Sequence, residues 1–256
     1  MRYEILGPLR VVDKNGASVV SARKVETVLA TLVIRSDQVV PFDQLVAEIW
    51  GEMPPRRATA AVHVYISELR KFLHRTGQPK NPVVTISPGY LLSKGTDDID
   101  FHQFIQLMNQ GRARMRDSRY DEASADLGEA LGLWRGRALD DLRSGVIIDS
   151  FVTWLTEARL ECLEMLGDAQ LKLGRHREVV GELYSLIAEN PFREAFYRQL
   201  MLALYRSERQ ADALHVYQRV RKILHDELGL EPCRALRELQ RDILVGNAEL
   251  EMAMVP

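Results

Sequence analysis

The segment Ala58–His74 places two sets of side chains on opposite sides of one helix. Val62, Ile66, Leu69 and Leu73 recur at intervals of three and four and form an apolar stripe. Ala60, His63, Ser67, Arg70, Lys71 and His74 recur on the other side. Basic, hydroxyl and imidazole groups in that arrangement suit a polyanion, and the major groove of duplex DNA is wide enough to admit a helix. Two short β runs follow, Val83–Ile86 and Tyr90–Ser93, joined by Ser87-Pro88-Gly89. They predict a hairpin with a tight tip, within reach of an adjacent groove or of phosphates. The same pattern also describes a solvated charged face on an ordinary α+β domain, and periodicity alone does not separate the two.

Other chemistries lack their residues. No GxxxxGK[ST], no GxGxxG after a strand, no GxSxG and no HExxH occurs. His63, His74, His102, His176, His215 and His225 include no pair at metal spacing backed by carboxylates or cysteines. Asp97-Asp98 and Asp140-Asp141 are adjacent pairs, so they point to different faces or sit in loops. No catalytic residue, metal or cofactor is expected, and the chain does not read as an enzyme. His63 and His74 are expected at the surface, and His176 at a packing position. Cys162 and Cys233, 71 positions apart, make neither a disulfide framework nor a CxxC site. Both are expected to be small buried hydrophobes in a reducing cytoplasm. MRYEILGPLR is not a charged-then-apolar leader, and no apolar run approaches the roughly 20 residues of a membrane helix. The expectation is a cytoplasmic protein without membrane contact.

The elements that position the helix and hairpin follow from composition and period. With 256 residues, 46% apolar and 27% charged, the chain suits one large domain or two ordinary ones. Its net charge of −2 hides a split. Residues 1–96 carry 13 Lys and Arg against 8 Asp and Glu, a net of +5, and the remainder 21 against 28, a net of −7. The basic part is the natural candidate for polyanion binding. Arg2–Val12 is rich in β-formers and broken at Gly7-Pro8, Asp13–Gly16 reads as a turn, and Ala17–Ser21 as a returning strand. Arg23–Arg35 is amphipathic at helical period, Gln38–Val40 is extended, and Phe42–Trp50 is a second helix between Pro41 and Gly51. Gly51–Arg57 is a proline-bearing loop before the third helix, which Gly77, Pro79 and Pro82 end.

From Phe101 onward the pattern is helical, with a 34-residue repeat. Leu163, Leu166-Gly167, Gly174, His176, Val179, Leu183 and Pro191 match a tetratricopeptide (TPR) unit, and the next copy carries Tyr197, Leu200-Met201, Glu208, Gln210, Ala213 and Tyr217. An earlier copy, Leu107, Gly111, Ser118, Tyr120, Ala123 and Leu127, lies 56 positions before the first, with extra residues around Trp134–Leu155 between them. Small residues let paired helices approach, and each unit buries its apolar face on a neighbour. Glu208 stands where a turn glycine is usual and His225 where a breaker proline would be, so the last helix is expected to run to Leu228 and stop at Gly229.

RATAAVHVYISELRKFL followed by VVTISPGYLL resembles the recognition helix and wing of the OmpR-type winged helix. With EILGPLRV and LVAEIWGEMPP, the N-terminal part resembles that of the Streptomyces antibiotic regulatory protein family of transcriptional activators. GRARMRDSRYDEASADLGEALGLWRGRALDDL, LKLGRHREVVGEL, NPFREAFYRQLMLALYRSERQADAL and ELGLEP resemble its bacterial transcriptional activation domain. The resemblance spans residues 2 to about 245. It implies an α+β winged helix-turn-helix domain over residues 1–96, then an all-α tetratricopeptide-like domain over 97–256. It also implies sequence-specific activation of a secondary-metabolite cluster. Members bind direct repeats near the −35 element as tandem protomers or a homodimer, and recruit RNA polymerase holoenzyme through the sigma factor and alpha subunit. By position in the motif, Ala60, His63 and Ser67 face bases, and Arg57, Arg70 and Lys71 grip backbone or base edges. Thr59, Ser87 and Lys94 meet phosphates, and Gly89 and Tyr90 shape the wing. Gly51, Glu52, Met53, Pro54, Pro55 and Arg56 stand at the polymerase-contacting loop, where the prolines also read as plain loop stiffeners. Glu68 departs from the family's usual basic residue, and either pairs with neighbouring Arg70 or Lys71 or reads a cytosine amino group. A protein-only TPR adaptor and a ligand-sensing regulator are the alternatives. The ATPase and sensory extensions of some larger relatives are not visible in the sequence, nor is a receiver domain before the winged helix, so control by phosphorylation or nucleotide is not visible either.

Overall fold

A computed structural model describes residues 1–75, 81–247 and 250. Three strands open the chain: β1 (Arg2–Glu4), β2 (Arg10–Asp13) and β3 (Gly16–Ser18). Three helices follow, α1 (Arg23–Ile34), α2 (Phe42–Trp50) and α3 (Ala58–Arg75), with the short β4 (Val40–Pro41) before α2. The strands β5 (Val83–Ile86) and β6 (Gly89–Leu92) form the hairpin, and β4 pairs antiparallel on β6. Gly77 and Pro79, expected to end the third helix, lie outside the described residues. Val25, Val28, Leu29, Leu32 and Val33 of α1, Leu45 of α2, and Val62, Ile66, Leu69 and Leu73 of α3 are buried, as are Val83, Tyr90 and Leu92 of the hairpin. Burial of apolar side chains from three helices on one small sheet is the source of its cohesion. This is a winged helix-turn-helix.

The compact unit around it reaches beyond residue 96. It comprises Met1–Leu107 and Glu129–Leu160. β7 (Asp98–Ile99) pairs parallel with β1, and α4 (Asp100–Arg116) starts directly after it. The Asp100 carboxylate is 1% exposed and accepts the N–H groups of Ile5 and Leu6, at 2.9 and 3.0 Å. Burial pushes its carboxyl up, and those N–H groups and Arg135 pull the other way. The Arg135 N–H donates to the Leu6 carbonyl at 2.7 Å, and Trp134 packs edge-on to Phe104 at 5.4 Å. Glu48 of α2 is 2% exposed, and its two oxygens accept the N–H groups of Ile147 and Ile148 at 2.9 and 2.8 Å. These are orphan donors in the first turn of α6 (Val146–Lys172), which a carboxylate satisfies in both hydrogen-bonding and dipole terms.

The second unit, Met108–Gly128 with Glu161 onward, is helical. It holds most of α5 (Tyr120–Gly132) and the end of α6, then α7 (His176–Glu189), α8 (Glu194–Arg206), α9 (Gln210–Leu228) and α10 (Arg234–Val245). The helices pair as TPR hairpins. A methyl group on Gly111 would lie 2.6 Å from the Leu127 side chain, so a small residue is what lets α4 and α5 meet. Gly229, at φ 67°, ends α9 with its N–H on His225 and the Leu230 N–H on Leu224, a left-handed cap. Cys162 is buried, and its thiol is pushed up to about 12 by that burial. Cys233 corrects the expectation of two buried cysteines. It is exposed at the N-cap of α10, its N–H donating to Glu194 at 2.6 Å, and a cap residue stands outside the packed face.

Ser118, Gly174 and Glu208 close the three repeat turns in the left-handed region, at φ 58°, 76° and 61°. A residue with a Cβ is disfavoured there by roughly 1–2 kcal/mol. Glu208→Gly is therefore expected to raise the urea-unfolding free energy by about 1 kcal/mol, part of the relief being offset by glycine's unfolded-state freedom. A midpoint that falls would show that the turn is not strained. His176 is buried, and among the described residues neither ring nitrogen has a partner. Burial, then nearby Arg206, lowers its pKa from the usual 6.5. The folded state favours the neutral ring, so stability is full above the unfolded value and is lost as pH falls through it toward the lower folded value. The wild type should lose more stability than His176→Leu between about pH 7.5 and about pH 5.5. Parallel urea curves for the two proteins would contradict this.

Candidate nucleic-acid interface

The buried stripe of α3 leaves the opposite side of the helix outward. Thr59, Ala60, His63, Val64, Ser67, Glu68, Lys71 and His74 are exposed, and so is Arg57 just before the helix. Among the described residues the side chains of Ser67, Glu68 and Lys71 carry no hydrogen bond or ion pair. The face is therefore uncovered and its charges are unspent. Pairing of Glu68 with Arg70 or Lys71 is not found, and Glu68 stays outward as an acceptor.

The side of α3 toward the hairpin is engaged. Arg70 donates from Nε to the Val83 carbonyl at 3.0 Å and from Nη2 to Thr85 Oγ1 at 2.8 Å. Its guanidinium also lies 6.0 Å from the centre of the Tyr90 ring. His63 Nδ1 is 2.7 Å from the Tyr90 hydroxyl, and the His63 ring is 5.9 Å from that of Phe42. Asn81 donates to the Arg70 carbonyl and accepts the Val83 N–H. These contacts hold the hairpin against the helix.

Tyr90 is 4% exposed and Gly89 is buried, so both lie inside the hairpin and not on its outer surface. The reason for glycine is steric: a Cβ at residue 89 would stand 1.9 Å from the Val40 carbonyl oxygen of β4. Arg70 is half-buried, and the Nε and Nη2 groups of its fork are engaged by β5. Ser87 is exposed at the hairpin tip, and Lys94 is half-buried with its N–H on Asp37 at 2.9 Å. The sequence reading missed Val64, which is 51% exposed on the outward face. Its position on the wheel was the available signal, and its apolar type concealed it.

The loop between α2 and α3 is exposed from Gly51 to Arg57, with Met53 86% exposed. Gly51, at φ 61°, ends α2, and the Ala58 N–H donates back to Pro55 at 2.9 Å, so the loop is short and shaped. Trp50 at its root stacks under the Lys24 ammonium at 4.9 Å and near Tyr65 at 6.0 Å.

A cavity of about 200 Å³ lies between α6 and α7, walled by Leu163, Leu166, Val179 and Leu183. A more open pocket of about 430 Å³ lies beside the end of α2, lined by Ala47, Gly51, Glu52, Arg143, Gly145 and Val146. The second falls within the roughly 300–1,000 Å³ of ligand pockets and the first below it. Among the described residues no group of His, Cys, Asp and Glu is placed to hold a metal, and no helix is long and apolar enough to cross a membrane.

The chain matches two family models. The model described as transcriptional regulatory protein, C terminal, covers residues 16–92, and the bacterial transcriptional activator domain covers residues 99–244. The chain is 38% identical over 251 residues to the regulatory protein DnrI of Streptomyces peucetius, covering 95% of this chain and 92% of DnrI. It is 37% identical over 243 residues to the transcriptional regulatory protein EmbR of Mycobacterium tuberculosis. It spans 63% of the length of EmbR. The transcriptional regulator RedD of Streptomyces coelicolor is 34% identical over 255 residues, 98% of this chain and 73% of RedD. A solved structure of Mycobacterium tuberculosis EmbR in complex with a low-affinity phosphopeptide superposes with a TM-score of 0.90 at 35% identity, covering 98% of this chain and 67% of that one.

Arg70→Ala is expected to cost about 1–2 kcal/mol of stability through loss of its two hydrogen bonds to the hairpin. Urea unfolding reads it. Unchanged stability would mean that Arg70 does not hold the hairpin in solution.

Proposed function

Because the chain belongs to the Streptomyces antibiotic regulatory protein family of transcriptional activators, we propose that it binds specific promoter sites and activates a secondary-metabolite gene cluster in the cytoplasm. Family members are regulators of transcription, not enzymes. Residues 1–96 serve as the DNA-binding domain, and residues 97–256 as the activation domain. The observation that carries this reading is the uncovered outward face of α3, with Ser67, Glu68 and Lys71 uncommitted, beside a hairpin locked to the helix.

In the major groove, Ala60, His63 and Ser67 meet base edges, while Arg57 and Lys71 meet phosphates or base edges. Thr59 lies at the first turn of α3, where backbone N–H groups and the helix dipole favour a phosphate. Ser87 and Lys94 contact the backbone from the hairpin. Glu68, an acceptor without a cation to pair with, reads a cytosine amino group, which offers the donor a carboxylate needs. Arg70 acts by holding the wing, as do Gly89 and Tyr90.

The operator consists of direct repeats near the −35 element, occupied by tandem protomers or a homodimer. The exposed loop Gly51, Glu52, Met53, Pro54, Pro55 and Arg56 contacts RNA polymerase holoenzyme at the sigma factor, with the alpha subunit as a further contact. The acidic second half is repelled by phosphates and is left for protein contacts.

A gel-shift titration against promoters of the genes flanking this one tests the reading. The wild type should shift them, with a linear fall of log K against log salt. Lys71→Ala should weaken binding to all bound promoters and reduce that slope by about one unit. An unaltered slope would remove Lys71 from the phosphate contacts. No shift on any promoter, with a protein captured instead by the second half, would favour a TPR adaptor.

A further inference from the structure

Val64 stands 51% exposed in a row that runs Ala60, Val64, Ser67, Lys71 along the outward side of α3. It lies two residues after Val62, which is fully buried, and so about 200° around the helix from the core stripe. No packing demand of the fold explains a branched apolar residue there. On an otherwise polar face it exposes two methyl groups to water, at a cost that burial in a complex would remove. Its β-branched side chain holds essentially one rotamer in a helix, so those methyls are already fixed in place.

The major-groove edges of base pairs carry donors, acceptors and one apolar group, the C5 methyl of thymine. We infer that Val64 is a specificity-determining residue that reads a thymine by methyl-to-methyl contact. Ala60, one turn earlier, leaves room for the base edge to approach and extends the apolar strip. The polar members of the row, Ser67 and Lys71, sit one and two turns later, so within this row the apolar positions come first. Val64 selects thymine over cytosine at one base pair, because cytosine presents an amino group where Val64 offers no acceptor.

This inference rests on the proposed docking of α3 in the major groove, and the test separates the two. The full chain is used to select duplexes from a random library. Each thymine of the enriched duplex is then replaced in turn by uracil, which differs only in lacking the C5 methyl. At one thymine the replacement should weaken wild-type binding about fourfold, the loss expected from uncovering one methylene-sized group. Val64→Ala, a surface change that should not lower the thermal midpoint because alanine is the better helix former, should bind the thymine and uracil duplexes alike at that position and respond like the wild type elsewhere. Indifference of the wild type to uracil at every position would overturn the inference alone. Retention of the full uracil penalty by Val64→Ala would do the same. Failure to enrich any duplex would overturn the DNA-binding reading and the inference with it.

Discussion

The rotation of α3 about its own axis is set by Val62, Ile66, Leu69 and Leu73, each no more than 2% exposed. Everything proposed for this chain depends on that setting. Turning the helix by one residue would move about 100° of its circumference, drive His63 or, in the other direction, Glu68 toward the core, and bring apolar stripe residues to the surface. Close packing does not allow such intermediate positions, so the outward row follows from the inward one. The hairpin adds a second restraint, because Arg70 and His63 on one flank of the helix are tied to Val83, Thr85 and Tyr90.

Two buried carboxylates play a comparable part in the rest of the first unit. Asp100 gathers the N–H groups where the chain leaves β1, and Glu48 gathers those at the start of α6. Each satisfies donors that secondary structure leaves over, and each joins segments nearly a hundred residues apart. They are the reason that stretches beyond residue 96 are part of the same compact unit as the winged helix. A carboxylate removed from water needs such partners, and backbone N–H groups provide them without a counter-charge.

Local pattern revealed the helices, because apolar residues at periods near 3.6 mark a buried face wherever they occur. α2 runs over Phe42–Trp50 as its flanking Pro41 and Gly51 implied, and α9 runs through to Gly229 as the replacement of a breaker by His225 implied. Glu208 was visible as an oddity in a turn, and it does occupy the left-handed region. What pattern could not reveal were partners far along the chain. Arg70 has the residue type of a phosphate contact, yet Thr85 and the Val83 carbonyl engage its fork. Tyr90 has the type of a groove contact, yet β4 and α3 cover it. Neither Asp100 nor Glu48 belongs to a motif, so nothing distinguished them from surface acids. Val64 belongs neither to the apolar stripe nor to the polar set, and its exposure follows only from its place about 200° around the helix from Val62.

The buried hydroxyl of Tyr90 has one consequence for the imidazole above it. Among the described residues its hydrogen bond is with His63 Nδ1, and the tautomer of the ring sets which of the two donates. In the arrangement where the hydroxyl donates, the ring proton sits on Nε2, the nitrogen left without a partner among the described residues. That tautomer presents an N–H, suited to purine N7 or to an oxygen, and unsuited to an exocyclic amine. On the proposed docking of α3, the partner that the wing gives His63 thus bears on which base edges its outward nitrogen would suit.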